Sequence, residues 1–344
     1  MKALVKTAQG PGHVELIDVL EPSCGDRDVK IEVKFTGICG TDLHVLHDTF
    51  KNYPPVILGH EFSGVIAETG AGVRDVSVGD RVAVNPSTAV TCGKCDYCRQ
   101  GYYMFCSIRR GMGHGVNGAF TKYAVVRDDQ VYKLPDDVSL EEAALAEPLA
   151  CAVQAVEELT DIHLGDTVLL SGPGPIGTLC LLLLVAKGCK VIVAGTTQDR
   201  LRLDMAMQLG AALTVDVLQE NLQEVIQRET DGRGVDVAME CAGVEASVAA
   251  CLQAVKRRGR YVQVGILGKE IRLAFDTILY KQLQVVGSLA HSMQTWSRTL
   301  QLLRQRRLPL LQTVTHTIPL SQWRDGFDIC EMKRGLKVLL TYDE

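Results

Sequence analysis

Apolar and polar residues alternate with period two through much of the first 150 residues. Val14-Glu15-Leu16-Ile17-Asp18-Val19 and Val29-Lys30-Ile31-Glu32-Val33-Lys34-Phe35 follow the rhythm of half-buried strands. Residues 64–68, 80–84 and 119–126 continue it, with glycine-marked turns between them. Many short strands with few helices predict a β-rich, barrel-like domain over residues 1–150.

From residue 151 the pattern changes to alternating strands and helices, the signature of an α/β domain. Thr167-Val168-Leu169-Leu170-Ser171 reads as a buried strand, residues 178–187 as an apolar helix and Lys190-Val191-Ile192-Val193-Ala194 as the next strand. Further strands are predicted at 234–240, 260–265 and 284–288, with a helix at 244–255. The tail from 290 to 344 reads as a helix at 294–303, a strand at 314–318, a helix at 323–332 and an edge or closing strand at 337–342. It is too small for a core of its own, so it is expected to pack back on an earlier domain. Lys256-Arg257-Arg258 reads as a solvated turn, and Arg304, Arg306 and Arg307 as the charged end of a helix.

Composition narrows the possible partners. The chain has 344 residues, room for two domains, and a net charge of −5. Neither that charge nor an aromatic content of 5 % suits nucleic acid or an anionic membrane, which call for basic surfaces and, for single strands, stacking platforms. The longest apolar run, 179–186, is too short to span a bilayer, and residues 1–7 read as a strand rather than a leader. Twelve cysteines, most of them scattered, do not form a disulfide framework and fit a reducing cytoplasm.

Four of those cysteines are bunched. Cys92, Cys95, Cys98 and Cys106 fall within fifteen residues, three of them at CxxC spacing, which suits a closed tetrahedral site of four thiolates. Such a site has no open coordination position, so it should brace a loop. Elsewhere Cys39, His60, Glu61 and Glu147 are residue types that ligate catalytic zinc, where three protein ligands leave a position for water or substrate. Read singly they are bland: His60-Glu61 as a surface pair, Glu147 as a helix-end carboxylate, His44 as a surface or cap residue. If a helix starts after Cys39, Thr41 and His44 share a face, with Thr41 or Asp42 near the N-cap.

Gly172-Pro173-Gly174-Pro175-Ile176-Gly177 lies between a strand and a helix. In that setting GxGxxG is a dinucleotide fingerprint, its glycines permitting a tight turn and close approach of a pyrophosphate to the helix N-terminus. The acidic residue usual at the end of the second strand is replaced by Gly195. Repulsion of a 2′-phosphate is thereby removed, and Thr196 and Thr197 offer hydroxyls to phosphate oxygens, so NADP is mildly favoured over NAD. Asp199 reads as the N-cap of a helix at 200–209. Arg200, together with Cys241, Gly265 and Ser288 at the ends of later strands, completes the expected cofactor contacts.

Taken jointly, Cys39-Gly-Thr-Asp-x-His44, Gly59-His60-Glu61, the four-cysteine lobe, Glu147-Pro148-Leu149 and the glycine fingerprint resemble the zinc-dependent medium-chain dehydrogenases, most closely the sorbitol (polyol) and threonine dehydrogenase branch. The resemblance runs over essentially the whole chain, including Val314-Thr315-His316 and Pro319-Leu320. It implies a GroES-like β-rich catalytic domain, residues 1–150 completed by 290–344, and a Rossmann doubly wound parallel sheet over 151–289. It implies a catalytic zinc on Cys39, His60 and Glu61, with Glu147 as fourth ligand or as a partner through water, and a second, structural zinc on the four cysteines. It also implies that Thr41 and His44 relay a proton to solvent by way of the cofactor ribose, a task that suits an imidazole's ordinary pKa near 6.5. The reaction implied is reversible hydride transfer between NAD(P) and a secondary alcohol (polyol, sugar alcohol, sugar acid or hydroxy amino acid). A dimer or tetramer of identical chains is the expected assembly.

One departure stands out. Polyol dehydrogenases usually carry an Arg-Tyr pair just upstream of the stretch matching Gln294-Thr295-Trp296; His291-Ser292 takes its place here. That change weakens an assignment to sorbitol or threonine, and His291 is expected to line the substrate pocket instead. Two competing functions are a zinc-free quinone or enoyl reductase, which lacks this ligand set, and a zinc- and cofactor-binding redox sensor without turnover. Residues 91–111 hold only Lys94, Arg99, Arg109 and Arg110 as cations, little for a nucleic-acid-binding lobe.

Overall fold

The computed structural model describes residues 1–342 and divides them into two compact units. Unit 1 comprises Met1–Ala150, His291–Arg306 and the chain from Val314 onward. Unit 2 comprises Cys151–Ala290 and Arg307–Thr313.

Unit 1 is built from two sheets. In the larger one the strands run Val314–Pro319, Lys337–Thr341, Asp28–Gly37, Glu61–Thr69, Arg81–Val84 and Val131–Lys133, with Tyr123–Arg127 also paired to Asp28–Gly37. The smaller orders Val14–Asp18, Lys2–Lys6 and Val56–Ile57. Alternation explains the pairing: Val29, Ile31 and Val33 point to one face and pack with Phe62, Ile66, Val82 and Val126, all buried. Burying an aliphatic side chain of this size contributes roughly 1.5–3 kcal/mol, which fixes the register of the central antiparallel pair. A second cluster gathers Leu4, Ile38, Val45, Leu58 and Phe120 against Trp323, Phe327 and Val338 of the tail.

The strand Lys337–Thr341 is interior rather than an edge: it runs parallel to Val314–Pro319 and antiparallel to Asp28–Gly37. Its burial on both faces, Leu339 and Leu340 included, accounts for the position. Residues 119–122 precede the strand Tyr123–Arg127 and do not extend it.

Unit 2 holds a six-stranded, wholly parallel sheet: Leu213–Asp216, Lys190–Gly195, Thr167–Ser171, Val235–Glu240, Val255–Gln263 and Gln284–Gly287. The order reverses at Thr167–Ser171, which makes that strand's C-terminal end the switch point of a Rossmann sheet. The helix Pro175–Ala186 is apolar nearly all round and correspondingly buried from Gly177 to Leu184.

Two further details differ from the sequence reading. Lys256-Arg257-Arg258 lies inside the strand Val255–Gln263, where a register shift and a positive φ at Arg258 let its charges reach solvent. Ala290 and Arg307–Thr313 group with unit 2 rather than with the tail, Leu308 and Leu310 being buried there.

Candidate active site

Unit 1 brings Cys39, His60 and Glu61 together. One ligand-type atom from each lies within 4.8 Å of the others, the geometry a metal ion requires. Local structure puts them there. Cys39 occupies the N-cap of the helix Gly40–Leu46, and Asp42, at its third position, accepts the Cys39 N–H at 2.9 Å. The cap is Cys39 itself, with Thr41 and Asp42 beside it in the first turn. His60 follows Gly59, whose φ of +88° and whose contact with the Phe120 ring, 2.4 Å from where a Cβ would stand, leave room for glycine alone. Glu61 opens the strand Glu61–Thr69, opposite Gly37.

The donor set fits zinc. His60 turns Nδ1 toward the buried carboxylate of Asp42, 3.8 Å away, and that nitrogen has no hydrogen-bond partner. A carboxylate behind a ligating imidazole orients the ring and leaves the other nitrogen for the metal. Burial opposes a charge on His60, yet Cys39, Asp42 and Glu147 outweigh it and raise its pKa well above 6.5. A field that draws a proton onto this imidazole also favours a dication. Asp42 is pushed up by its own burial against the pull of His60.

Lys337, which sequence reasoning passed over, forms a buried ion pair with Glu61 and donates to the Ile38 carbonyl at 3.1 Å. Burial lowers its pKa, but Glu61 and Cys39 more than compensate. Its position in an alternating C-terminal strand gave no hint of this; only the pairing with Asp28–Gly37 brings it beside the ligands.

Glu147 lies outside the three-residue cluster, on the helix Ala146–Val153, and its charge acts on His60. Its Oε1 is 3.9 Å from His291 Nε2. His291 is 1 % exposed, places Nε2 3.1 Å from Ser87 Oγ and lies against the Trp296 ring. Burial pushes its pKa down to about 4, so it is neutral. Thr41 Oγ1 lies 3.7 Å from Cys39 Sγ. His44 is exposed on the helix Gly40–Leu46, which also carries Thr41, and its Nδ1 pairs with Thr49 Oγ1 at 2.9 Å.

The second cluster is Cys92, Cys95, Cys98 and Cys106, whose sulfurs also lie within 4.8 Å of one another. All four are free thiols. Backbone N–H groups aim at sulfur: Cys95 N at Cys92 Sγ, 3.2 Å, Cys92 N at Cys106 Sγ, 3.4 Å, and Cys98 N at Cys95 Sγ, 3.5 Å. Such donors lower the Cys92 pKa to about 6, whereas burial and the neighbouring thiols push Cys98 up to about 12. Four sulfurs this close cannot all ionise without a cation among them.

In unit 2 each fingerprint glycine has a separate reason. Gly172 has φ +100° at the turn, and a Cβ there would lie 2.6 Å from Ala242 N. At Gly174 a Cβ would meet nothing within 4 Å, so the backbone is open to a ligand, while at Gly177 it would strike the Gly172 carbonyl at 2.1 Å. These are the turn, approach and packing roles of a dinucleotide site, with Pro175 as the first helical residue. The Cys241 N–H bonds Ser171 O at 2.8 Å and the Ser288 N–H bonds Gln263 O at 2.8 Å, placing both at C-terminal strand ends. Gly265 packs on Gly243. Glu240, fully buried and unforeseen, pins this loop by accepting from the amides of Ala242 and Gly243, from Ser247 Oγ and from Gln263 Nε2.

The cofactor candidates after the second strand also have partners within the chain. Thr196 and Thr197 direct their hydroxyls to Asp199 (2.7 Å) and Asp216 (2.6 Å), so in this arrangement their protons are committed to carboxylates rather than offered to a phosphate. Gly195 has a packing reason as well, since a Cβ there would lie 3.0 Å from Pro173 Cγ and 3.1 Å from Leu203 Cδ2. Asp199 is the N-cap of Arg200–Gln208 by position, but its carboxylate serves Thr196. Arg200 is exposed and pairs with Asp204.

Residues 25–136 match the family described as alcohol dehydrogenase GroES-like domain, and residues 175–305 the family described as zinc-binding dehydrogenase. The sorbitol dehydrogenase of Halalkalibacterium halodurans is 39 % identical over 342 residues, covering 99 % of both chains. The D-arabitol-phosphate dehydrogenase of Enterococcus avium is 37 % identical, covering 99 % of this chain and 97 % of its own. Among solved structures, a zinc-binding dehydrogenase of Sinorhizobium meliloti 1021 bound to NADP superposes with a TM-score of 0.87 at 30 % identity, covering 99 % of this chain and 98 % of that one. No helix among the described residues is long and apolar enough to cross a membrane. The chain belongs to the zinc-dependent medium-chain dehydrogenases, in the branch of the polyol and threonine dehydrogenases, and is an NAD(P)-dependent alcohol dehydrogenase.

Proposed function

We propose that Cys39, His60 and Glu61 hold the catalytic zinc, with Glu147 as fourth ligand or as a partner through water, and that the four cysteines hold a second zinc that braces their lobe. The observation that carries this reading is the convergence of three unlike donors within 4.8 Å, with Asp42 behind the imidazole. Bound there, zinc supplies a Lewis acid that lowers the pKa of an alcohol, as it lowers that of water to about 7. The Asp42 carboxylate faces His60 Nδ1 from 3.8 Å, and Lys337 holds one oxygen of the Glu61 carboxylate. Thr41, beside Cys39, would take the hydroxyl proton, and the exposed His44 would pass it to solvent. A nicotinamide cofactor, when bound, would supply the acceptor or donor of the hydride exchanged with the substrate carbon.

The substrate proposed is a secondary alcohol of the polyol, sugar-acid or hydroxy-amino-acid class, in keeping with the names of the relatives, and His291 lines its pocket beside Glu147. NADP is the proposed cofactor: Gly195 withholds the carboxylate that would repel a 2′-phosphate, and Arg200 is the cation that would meet it. The working form is a homodimer or homotetramer in the cytoplasm, without nucleic-acid or membrane partners.

The test is a screen of polyols, sugar acids and hydroxy amino acids with NAD and with NADP on zinc-loaded protein, alongside Cys39→Ala. Turnover that vanishes together with one zinc in Cys39→Ala supports the assignment. Retained activity in that variant overturns it.

A further inference from the structure

Three strand ends in unit 2 are tied together by a run of polar side chains that the proposed chemistry does not use. Ser171 closes the strand Thr167–Ser171, just before the fingerprint turn, and its hydroxyl lies 2.7 Å from Ser247 Oγ on the helix Glu245–Ala254. Ser247 gives its own proton to Glu240 Oε1 at 2.7 Å, so Ser171 is the donor in the first contact. Glu240 ends the strand Val235–Glu240, and its other oxygen accepts from Gln263 Nε2 at 2.7 Å. Gln263 also donates to the Gly265 carbonyl at 2.7 Å and accepts from the Tyr261 hydroxyl. The run crosses from the strand that carries the fingerprint to two strands on the other side of the switch point.

The loop Cys241-Ala242-Gly243 is closed in between these ends. Glu240 Oε1 accepts from the N–H of Ala242 at 2.9 Å and of Gly243 at 3.0 Å. A Cβ at Gly172 would stand 2.6 Å from Ala242 N, and one at Gly265 would stand 2.3 Å from Gly243 N and 2.7 Å from Glu240 Oε2. Two glycines and one carboxylate therefore set where the loop lies. A Rossmann sheet is built from two mononucleotide-binding halves and takes a dinucleotide across the C-terminal strand ends at the switch point. The fingerprint strand and the strand that ends at Gly195 belong to the adenosine half, so the loop 241–243 borders the nicotinamide half.

Glu240 is fully buried, both of its oxygens accept, and all four of its donors are uncharged. Such dipoles spread a charge without cancelling it, and a charge in the interior of a protein reaches farther than one in water. Its reach is visible at Cys251, where burial first and then Glu240 push the thiol pKa up. The oxidised nicotinamide ring carries a positive charge that the reduced ring lacks, so a fixed negative charge on this side distinguishes the two.

We propose that Glu240 is a positioning residue for the nicotinamide half of the cofactor, and that its buried charge makes the site favour the oxidised cofactor over the reduced one.

The experiment is calorimetric titration of full-length, zinc-loaded protein with NADP and NADPH, and with NAD and NADH, which gives a Kd for each form. Glu240→Gln keeps the size of the side chain and one acceptor oxygen while deleting the charge. It should raise the Kd of the oxidised form about 3- to 10-fold more than that of the reduced form, the scale of one partly screened charge. Glu240→Asp keeps the charge on a shorter stem, so it should weaken both forms and leave their ratio near that of wild type. Ser247→Ala removes one donor and no charge, and should weaken both forms together by about 3- to 10-fold. Equal weakening of both forms in Glu240→Gln would make Glu240 a brace of the fold only and would overturn the proposal, as would unchanged binding of both. If Glu240→Gln does not fold, Ser247→Lys replaces it by setting a cation beside the carboxylate, and should shift the ratio in the same direction. An unshifted ratio there overturns the proposal as well.

Discussion

Replacing Lys337 by Met removes a cation from the interior of unit 1 while keeping the length of the side chain. Lys337 and Glu61 have side chains only 3 % and 1 % exposed, so the change strands a buried carboxylate rather than exposing one to water. Breaking a buried pair from one side costs about 3–5 kcal/mol, and the lost hydrogen bond to the Ile38 carbonyl adds about 1 kcal/mol. Methionine fills nearly the same volume, so little of this is a cavity effect. Both tryptophans, Trp296 and Trp323, belong to unit 1, so their fluorescence during urea unfolding reports on this unit alone. The expectation is a loss of about 4–6 kcal/mol in metal-free protein. Added zinc should shrink the loss, because a dication on Glu61 supplies the missing positive charge. Adding Glu61→Gln to Lys337→Met should recover most of the stability, giving a strongly non-additive cycle. A Lys337→Met loss under about 1 kcal/mol, or full additivity with Glu61→Gln, would refute the reasoning.

Other outcomes follow from the same structure. Cys95→Ala should lose one zinc and lower stability while leaving kcat/KM within a few-fold at temperatures where the chain stays folded; a collapse of kcat in folded protein would place that cluster in the chemistry. Arg200→Ala should raise the KM for NADP about tenfold with little effect on NAD, and equal effects on both would remove Arg200 from phosphate recognition. His291 is held neutral in the fold, with a pKa of about 4 against an ordinary 6.5, so the unfolded chain takes up a proton that the folded chain refuses. Stability should therefore fall as pH drops from about 6.5 to about 4, with a contribution from this residue near 3 kcal/mol that levels off at lower pH. His291→Gln should lose that part of the pH dependence, and parallel curves for the two proteins would contradict it.

The strand periods, the four-cysteine spacing and the glycine fingerprint were legible because each is a local pattern with one physical meaning. Cys39 and His60 were nameable as candidates, but what orients them was not. Asp42 looked like an ordinary first-turn acid, and Lys337 looked like the polar half of an alternating strand. Both act through contacts that exist only once distant segments pair. The hydroxyls of Thr196 and Thr197 make a similar point, since the sequence does not reveal that Asp199 and Asp216 accept their protons. Glu240 escaped notice for a similar reason, its donors coming from the loop amides of Ala242 and Gly243, from Ser247 on the next helix and from Gln263 on the neighbouring strand.

The central claim is that the scattered ligands Cys39, His60 and Glu61 carry the reaction while the cysteine cluster carries structure. It is tested most directly by removing zinc stepwise with a chelator while recording bound metal and turnover of one secondary alcohol on the same samples. The account predicts that turnover falls in proportion to loss of a single zinc per chain and returns when zinc is restored, and that Cys39→Ala already lacks that ion. Undiminished turnover in fully zinc-stripped protein would contradict it.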